Sequence, residues 1–220
     1  MRIGVLSDTH DLLRPEAETA LQGCDCILHA GDISSPTVLE RLGRIASVKA
    51  VRGNNDKGMD LPAFLEADFQ GRHICMAHKR KDLPRDLAPY DAAICGHTHR
   101  YVSETITDPG TGRRTLLLNP GSCGPRLLHQ PVTLAILTIG RDSIICEKKE
   151  IPHPEAVSGK VPGDIREQIV IVMRETEKGR SPSDIARRYR IDPAAAEQIA
   201  RLYVTHPGVT PDGIMSKMGI

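Results

Sequence analysis

RIGVLSD, CILHAGD, VKAVRGN, RHICMAH and AAICGH are five short apolar runs, and each stops on a carboxylate, an amide or an imidazole. Runs of this length and composition read as buried strands. Two amphipathic segments, RPEAETALQG and SPTVLERLGR, separate the first three runs. Each has a proline near its start, where a helix accepts one. Strand, helix, strand, helix, strand predicts a parallel sheet with right-handed crossovers. Beyond His99 the texture changes. YVSETITD, RTLLLNPGS, TLAILTIG and SIICEKKEI follow one another through short turns such as DPGTG and GRD, and the last two read as an antiparallel hairpin. The expectation is an α/β fold in which a parallel half precedes an antiparallel half and two sheets pack face to face.

The run ends supply Asp8 and His10 in SDTH, Asp32 in AGD, Asn54 in GNND, His78 in MAH, and His97 with His99 in CGHTH. In an open parallel sheet the ligand site lies beyond the carboxyl ends of the strands, so these side chains should converge there. Residues i and i+2 of a strand share a face, which lets His97 and His99 reach one site. Packing alone does not account for such a cluster, because desolvating seven nitrogen and oxygen donors without a cation is costly. Seven donors exceed the needs of one transition metal. Two ions sharing a bridging carboxylate would use them all and leave positions for water and substrate. A mixed imidazole, carboxylate and amide set suits manganese, iron, zinc or nickel better than magnesium or calcium. The lack of thiolates argues against a closed structural zinc site.

The order D-x-H, G-D, G-N-x-D, H, G-H-x-H resembles the calcineurin-like metallophosphoesterases, in particular their small bacterial and archaeal phosphodiesterases, over about residues 1 to 150. The resemblance implies a β-sandwich flanked by helices and a dinuclear-metal-dependent phosphoesterase, a phosphodiesterase rather than a phosphomonoesterase. It places Asp8, His10 and His99 on one ion and Asn54, His78 and His97 on the other, with Asp32 bridging. Manganese is the first expectation for both ions, with iron, zinc or nickel as alternatives. The chemistry implied is in-line attack on phosphorus by a hydroxide shared between the ions. Asp32, Asn54, Asn55, Asp56 and His97 form the expected catalytic set, Asp56 by orienting the Asn54 loop. NPGS, at Asn119 to Ser122, also looks like a loop of the small members.

Two departures from the family pattern shape the expected specificity. Many members carry a histidine where Asn55 stands, and an amide can donate a hydrogen bond to a phosphoryl oxygen but cannot give up a proton. Activated or nucleotide-type phosphodiesters are therefore expected over alkyl monoesters. The family commonly shows H-G-H where this chain has His78-Lys79-Arg80, which makes the mouth of the site more cationic. Asn55, Lys79 and Arg80 are the candidate substrate-binding residues. The alternative reading is a catalytically weak scaffold that binds protein partners. Chains of that type lose metal ligands, whereas this one keeps all seven.

Lys and Arg number 29 against 28 for Asp and Glu, a formal charge of +1. That balance leaves no electrostatic footprint for nucleic acid or an anionic membrane. No apolar stretch approaches the roughly 18 residues of a membrane span. Six scattered cysteines without a CxxC motif read as buried, reduced thiols, and the chain opens directly on a strand, so a cytoplasmic location is expected. His29, His73 and His129 match no ligand motif and read as structural.

The catalytic domain is expected over residues 1–155, a linker over 156–163, and a helical extension over 164–220. DIREQIVIVMRETEKG reads as the first helix of that extension, ending at Gly179. Ser181-Pro182, Asp192-Pro193 and Thr210-Pro211 each pair a capping side chain with proline and mark three more starts. IARRYR, a tight turn and AAAEQIARLYV have helix-turn-helix spacing. That leaves a nucleic-acid contact open, although the balanced charge favours an ordinary helical hairpin. Ile185, Tyr189, Ile199, Leu202 and Tyr203 give the helices apolar faces that need covering, so the extension is expected to shape access for a small phosphodiester substrate or to build a homo-oligomer.

Overall fold

The structure is a computed structural model describing residues 1–124, 130–152, 164–206 and 208–220. The expected linker at 156–163 and His129 lie outside the described residues. The chain begins β1 (Arg2–Leu6), α1 (Pro15–Leu21), β2 (Cys26–His29), α2 (Pro36–Gly43) and β3 (Ser47–Ala50). Then come β4 (Phe64–Phe69), β5 (Arg72–Ala77), β6 (Ala92–Ile94), β7 (Tyr101–Thr107) and β8 (Arg114–Pro120). The hairpin of β9 (Thr133–Ile139) and β10 (Ile144–Glu150) follows, and then α3 (Ile165–Glu177), α4 (Pro182–Tyr189), α5 (Pro193–Thr205) and α6 (Pro211–Met218). The strands with α1 and α2 form one compact unit, and α3 to α6 form another.

Two five-stranded sheets make up the first unit, in the orders β10-β9-β1-β2-β3 and β4-β5-β6-β8-β7. Parallel pairing sets Ile3 against Cys26 and Cys26 against Ser47, with α1 and α2 as the crossovers. The β9–β10 hairpin extends this sheet antiparallel to β1. In the second sheet β5, β6 and β8 are parallel, and β4 and β7 are antiparallel edges.

The expectation of one parallel half carrying all five donor-tipped strands is corrected here: the first three lie in one sheet, while RHICMAH and AAICGH are β5 and β6 of the other. No helix spans the segment between β3 and β5, so nothing carries the chain back over the first sheet. It runs instead through β4, which the sequence reading did not foresee. FLEADF there alternates half-buried and exposed positions, as an edge strand does.

Ile3, Val5, Leu28 and Leu137 of one sheet meet Ile74, Met76, Ile94 and Leu118 of the other in the inter-sheet core. Strand alternation sends Leu6, Ile27, Leu134 and Ile136 to the opposite face, under Ala17 and Leu21 of α1 and Val38 and Leu42 of α2. Each such buried Val, Leu, Ile or Met side chain contributes about 1.5–3 kcal/mol of hydrophobic stabilisation. On the outer face of the second sheet, Leu83, Leu87 and Tyr90 cover Cys75, Ala77, Ala93 and Cys95.

The helices of the second unit start as the sequence predicts. Asp164, Ser181, Asp192 and Thr210 accept N–H bonds from Arg166, Asp184, Ala195 and Gly213, and proline occupies the first turn of the last three helices. α4 stops at Arg190, which is left-handed at φ 54°. Ile191 in the turn, together with Ile169, Val172, Ile185, Ala196, Ile199, Ile214 and Met218, builds a core private to this unit. The apolar faces expected to need covering from outside thus cover one another: Ile185 and Ile199 are fully buried, and Tyr189, Leu202 and Tyr203 pack around them. No described helix is long and apolar enough to cross a membrane.

Candidate metal centre

The donors sit in the loops that leave β1, β2, β3, β5 and β6. Asp8, His10, Asp32, His97 and His99 have φ values of 55°, 46°, 56°, 71° and 58°. Five of the seven candidate ligands therefore adopt left-handed backbone, which costs a non-glycine residue about 1–2 kcal/mol. Such residues cluster where the surroundings over-determine them, commonly at functional sites. Two glycines let the loops close further. A Cβ on Gly53 would fall 2.2 Å from Asp32 Oδ1, and one on Gly96 would fall 1.9 Å from Ser7 Oγ and 2.9 Å from Asp8 Oδ2.

The folded loops bring the side chains within ligand reach. His99 Nε2 lies 3.3 Å from Asp8 Oδ1 and 3.4 Å from His10 Nε2. His10 Nε2 is 3.9 Å from Asp32 Oδ2, and His78 Nε2 is 3.5 Å from Asp32 Oδ1. Asn54 Oδ1 stands 3.1 Å from His78 Nε2. Asp8, His10 and His99 form one group with ligand atoms all within 4.8 Å of one another, and Asp8, Asp32 and His78 form a second. The His97 ring meets His78 edge-on, with centroids 5.2 Å apart. Asp8, Asp32 and His78 are buried, while Asn54 and His97 are exposed, so the cluster opens on one side.

The donor chemistry fits divalent cations. His78 Nδ1 donates to the Ala30 carbonyl at 2.8 Å, which leaves a lone pair on Nε2. That lone pair faces the acceptor oxygens of Asn54 and Asp32, an arrangement only a cation or an added proton satisfies. Asp8 Oδ1 is buried with no hydrogen bond. Burial pushes the Asp8 carboxyl up, but His99 and His78 outweigh it and hold the group below the ordinary range. Asp32 behaves alike: burial raises it, and His78 with the Asn55 backbone amide brings it well below. Both carboxylates are therefore ionised. Burial works to lower His78, yet Asp32 and Asp8 raise it overall. Burial, then the charges of His78 and Lys79, lower His97.

Residues around the donors tie the loops together. Asp56 Oδ1 accepts the Ile33 and Ser34 amides and Oδ2 accepts the Gly53 amide, each at 2.7 Å, so this carboxylate links the Asp32 loop to the Asn54 loop. Asn55 uses both its groups on Asp32: the backbone N–H donates to Oδ1 at 2.9 Å and Nδ2 donates to Oδ2 at 2.8 Å. Its side-chain amide is thus engaged on the Asp32 carboxylate instead of projecting free. Lys79 and Arg80 diverge. The Lys79 charge reaches His97, whereas Arg80 opens a 3-10 turn (Arg80–Asp82) and its charge acts on Cys75 and Cys95, whose thiols burial pushes up to about 12 and about 11.

NPGS gains a role only in the folded chain. Asn119 Nδ2 donates to Gly96 O at 2.8 Å and to Thr98 Oγ1 at 3.0 Å, and Ser122 Oγ donates to Asp8 O at 3.0 Å. The segment straps the β6 loop to the β1 loop. The available signal was polar residues placed directly after the apolar run RTLLL, in the manner of the donor-tipped strands. His73 stacks on Tyr90 with ring centroids 5.0 Å apart, away from the donors. His29 is fully buried, and burial drives its pKa down to about 4.

Residues 1–142 match the calcineurin-like phosphoesterase superfamily domain. A probable metallophosphoesterase of Methanothermobacter thermautotrophicus is 34% identical over 150 residues, which are 60% of this chain and 83% of that one. A phosphodiesterase of Methanocaldococcus jannaschii is 29% identical over 161 residues, or 62% and 92% of the two chains. Among solved structures, Vps29 of Entamoeba histolytica complexed with Zn²⁺ superposes with a TM-score of 0.54 at 20% identity, covering 68% of this chain and 99% of that chain. A phosphoesterase from E. coli gives 0.50 at 24% identity, with 69% and 100% covered. At such identities these structures speak for the fold. With the motifs, the donor geometry and the domain match in agreement, this chain belongs to the calcineurin-like phosphoesterase superfamily.

Proposed function

We propose that the protein is a dinuclear-metal phosphodiesterase acting on nucleotide-type or other activated phosphodiesters. The observation that carries this reading is the pair of overlapping donor groups, Asp8 with His10 and His99 and Asp8 with Asp32 and His78, open to solvent beside Asn54 and His97. Asp8, His10 and His99 would hold one ion, Asn54, His78 and His97 the other, and Asp32 would bridge. Two divalent ions held there would supply Lewis acidity for activating a water and for neutralising charge on the phosphoryl group. Manganese is the first candidate, followed by iron, zinc and nickel.

The chain's own residues define the rest. Asn55 fixes the rotation of the Asp32 carboxylate through two hydrogen bonds. Lys79, near enough to His97 to affect its protonation, offers an ammonium to a phosphate oxygen. With the Asn55 amide engaged on Asp32, no proton donor stands where many relatives keep a histidine, which favours leaving groups that depart as stable anions. The six cysteines are all free thiols, in keeping with a reducing cytoplasm.

The test is calorimetric titration of the full-length protein with Mn²⁺, followed by hydrolysis of bis-p-nitrophenyl phosphate. Two equivalents bound, and activity lost in Asp32→Ala and His97→Ala, are the expected results. Metal uptake without hydrolysis would favour a scaffold instead. Comparable turnover of an aryl diester and an alkyl monoester would defeat the leaving-group argument.

A further inference from the structure

His29 is a buried ring that the proposed chemistry does not use, and every polar atom it has is committed to the donor loops. The Gly31 N–H donates to its Nδ1 at 3.2 Å, so the proton of the neutral ring resides on Nε2. Nε2 then donates to Thr9 Oγ1 at 3.0 Å, and the Thr9 hydroxyl turns toward the Ile33 carbonyl at 3.5 Å. Thr9 stands between Asp8 and His10, while Gly31 and Ile33 flank Asp32. One imidazole thus spans from the loop after β1 to the loop after β2, bracing corners where Asp8, His10 and Asp32 hold left-handed backbone. A leucine or phenylalanine would fill the space if packing were all that was required, and a buried imidazole is tolerated only because both nitrogens are satisfied.

We infer that His29 and Thr9 form a positioning pair that sets the metal affinity of the centre by fixing the Asp8–His10 loop against the Asp32 loop. The inference rests on the metal-centre reading above. Neither residue touches substrate. Partners that orient metal ligands through hydrogen bonds typically change metal affinity by about 10–100-fold when removed. The inter-loop backbone bonds, Asp8 N to Gly31 O at 2.9 Å and His10 N to Asp32 O at 3.0 Å, hold the two loops side by side. The side-chain pair adds the brace that stops the corners from rotating.

The experiment compares Mn²⁺ affinity by calorimetry with thermal unfolding of the metal-free protein, on full-length Thr9→Val, Thr9→Ser and His29→Leu. Thr9→Val replaces the hydroxyl with a methyl group and should weaken Mn²⁺ binding about tenfold or more. Thr9→Ser should restore the parental value. His29→Leu should weaken binding at least as much as Thr9→Val, with the double variant no weaker than His29→Leu alone. Parental Mn²⁺ affinity in Thr9→Val overturns the inference, whatever happens to its melting temperature. The Thr9 pair decides the matter even if His29→Leu does not fold. A parent protein that takes up no Mn²⁺ overturns the metal-centre reading itself, and this inference with it.

Discussion

Glu175 in α3 and Asp8 at the end of β1 are both buried carboxylates, and the chain treats them in opposite ways. Glu175 is met by three cations of its own unit: Arg180 at 2.7 Å, Lys178 at 2.9 Å and Arg174 at 3.2 Å. Asp8 and Asp32 meet imidazoles and amides, and no described Lys or Arg pairs with either. An ionised buried carboxylate demands compensation. The helical unit supplies it with fixed cations, whereas the donor loops supply imidazoles, His99 and His78 for Asp8 and His78 for Asp32. The backbones differ in the same sense. In α3 to α6 capping side chains and apolar spacing, with proline in the first turn of α4 to α6, specify the same helices, and Arg190 is the one left-handed non-glycine residue among the described residues there. In the donor loops Asp and His occupy backbone that glycine would prefer. Proteins that satisfy local rules elsewhere and break them at one place commonly break them at a functional site.

Substitutions in each unit test that contrast. The largest effect is expected for Asp32→Asn, which keeps the shape but removes the negative charge and turns one acceptor oxygen into a donor. Mn²⁺-dependent diesterase activity should fall on the order of 10³-fold, about 4 kcal/mol of transition-state stabilisation. Steady-state kinetics at saturating Mn²⁺ checks this, and a loss under tenfold would mean the centre does not depend on its anionic charge. Asp56→Asn should be costly for the fold, because the new NH₂ opposes a backbone N–H at one of the three sites Asp56 now satisfies. A loss of about 2–4 kcal/mol in denaturant unfolding is expected, accompanied by weaker metal binding.

In the helical unit, Ile199→Ala should lower stability by about 2–5 kcal/mol through the cavity it leaves, read by far-ultraviolet circular dichroism during urea unfolding. Glu175 gives the acid response of the same unit. Lys178 first, with Arg174 and Arg180, lowers its pKa from 4.5 to about 2 against the opposing effect of burial. Because the folded value is the lower one, its contribution is complete above about pH 4.5 and is lost as the pH falls toward 2. Glu175→Gln should therefore flatten the loss of helical signal across that window; an unchanged profile would show that the cations do not compensate the carboxylate. The smallest effect is expected for Ser181→Ala, about 1 kcal/mol for one lost cap.

Much of this was legible in the chain itself. The donor set could be read because apolar runs that stop on Asp, His or Asn mark strand ends. The helix starts could be read because Ser-Pro, Asp-Pro and Thr-Pro combine a cap with a fixed φ. The partition of strands between sheets was not legible. β5 and β6 look like continuations of the β1–β3 pattern, and only the weak alternation of FLEADF signals the antiparallel edge that redirects the chain. The left-handed corners were hidden too, since a glycine there would have announced the conformation and Asp8, His10 and Asp32 did not. Asn55 reads as a substrate contact because it stands where many members of the family carry a histidine and its amide can donate to a phosphoryl oxygen. Its actual bond to Asp32 depends on two loops brought together across 23 positions. The contacts of NPGS to Gly96, Thr98 and Asp8, and of His29 to Thr9, were hidden for the same reason: those partners are distant in sequence.

Gly53 and Gly96 set a limit on how such a centre can change over generations. With oxygen atoms of Ser7, Asp8 and Asp32 occupying the space a methyl group would need, no stepwise enlargement at either position can retune the distance between donors. Divergence must then work around the rim, through residues such as Lys79, while the interior is either inherited whole or abandoned.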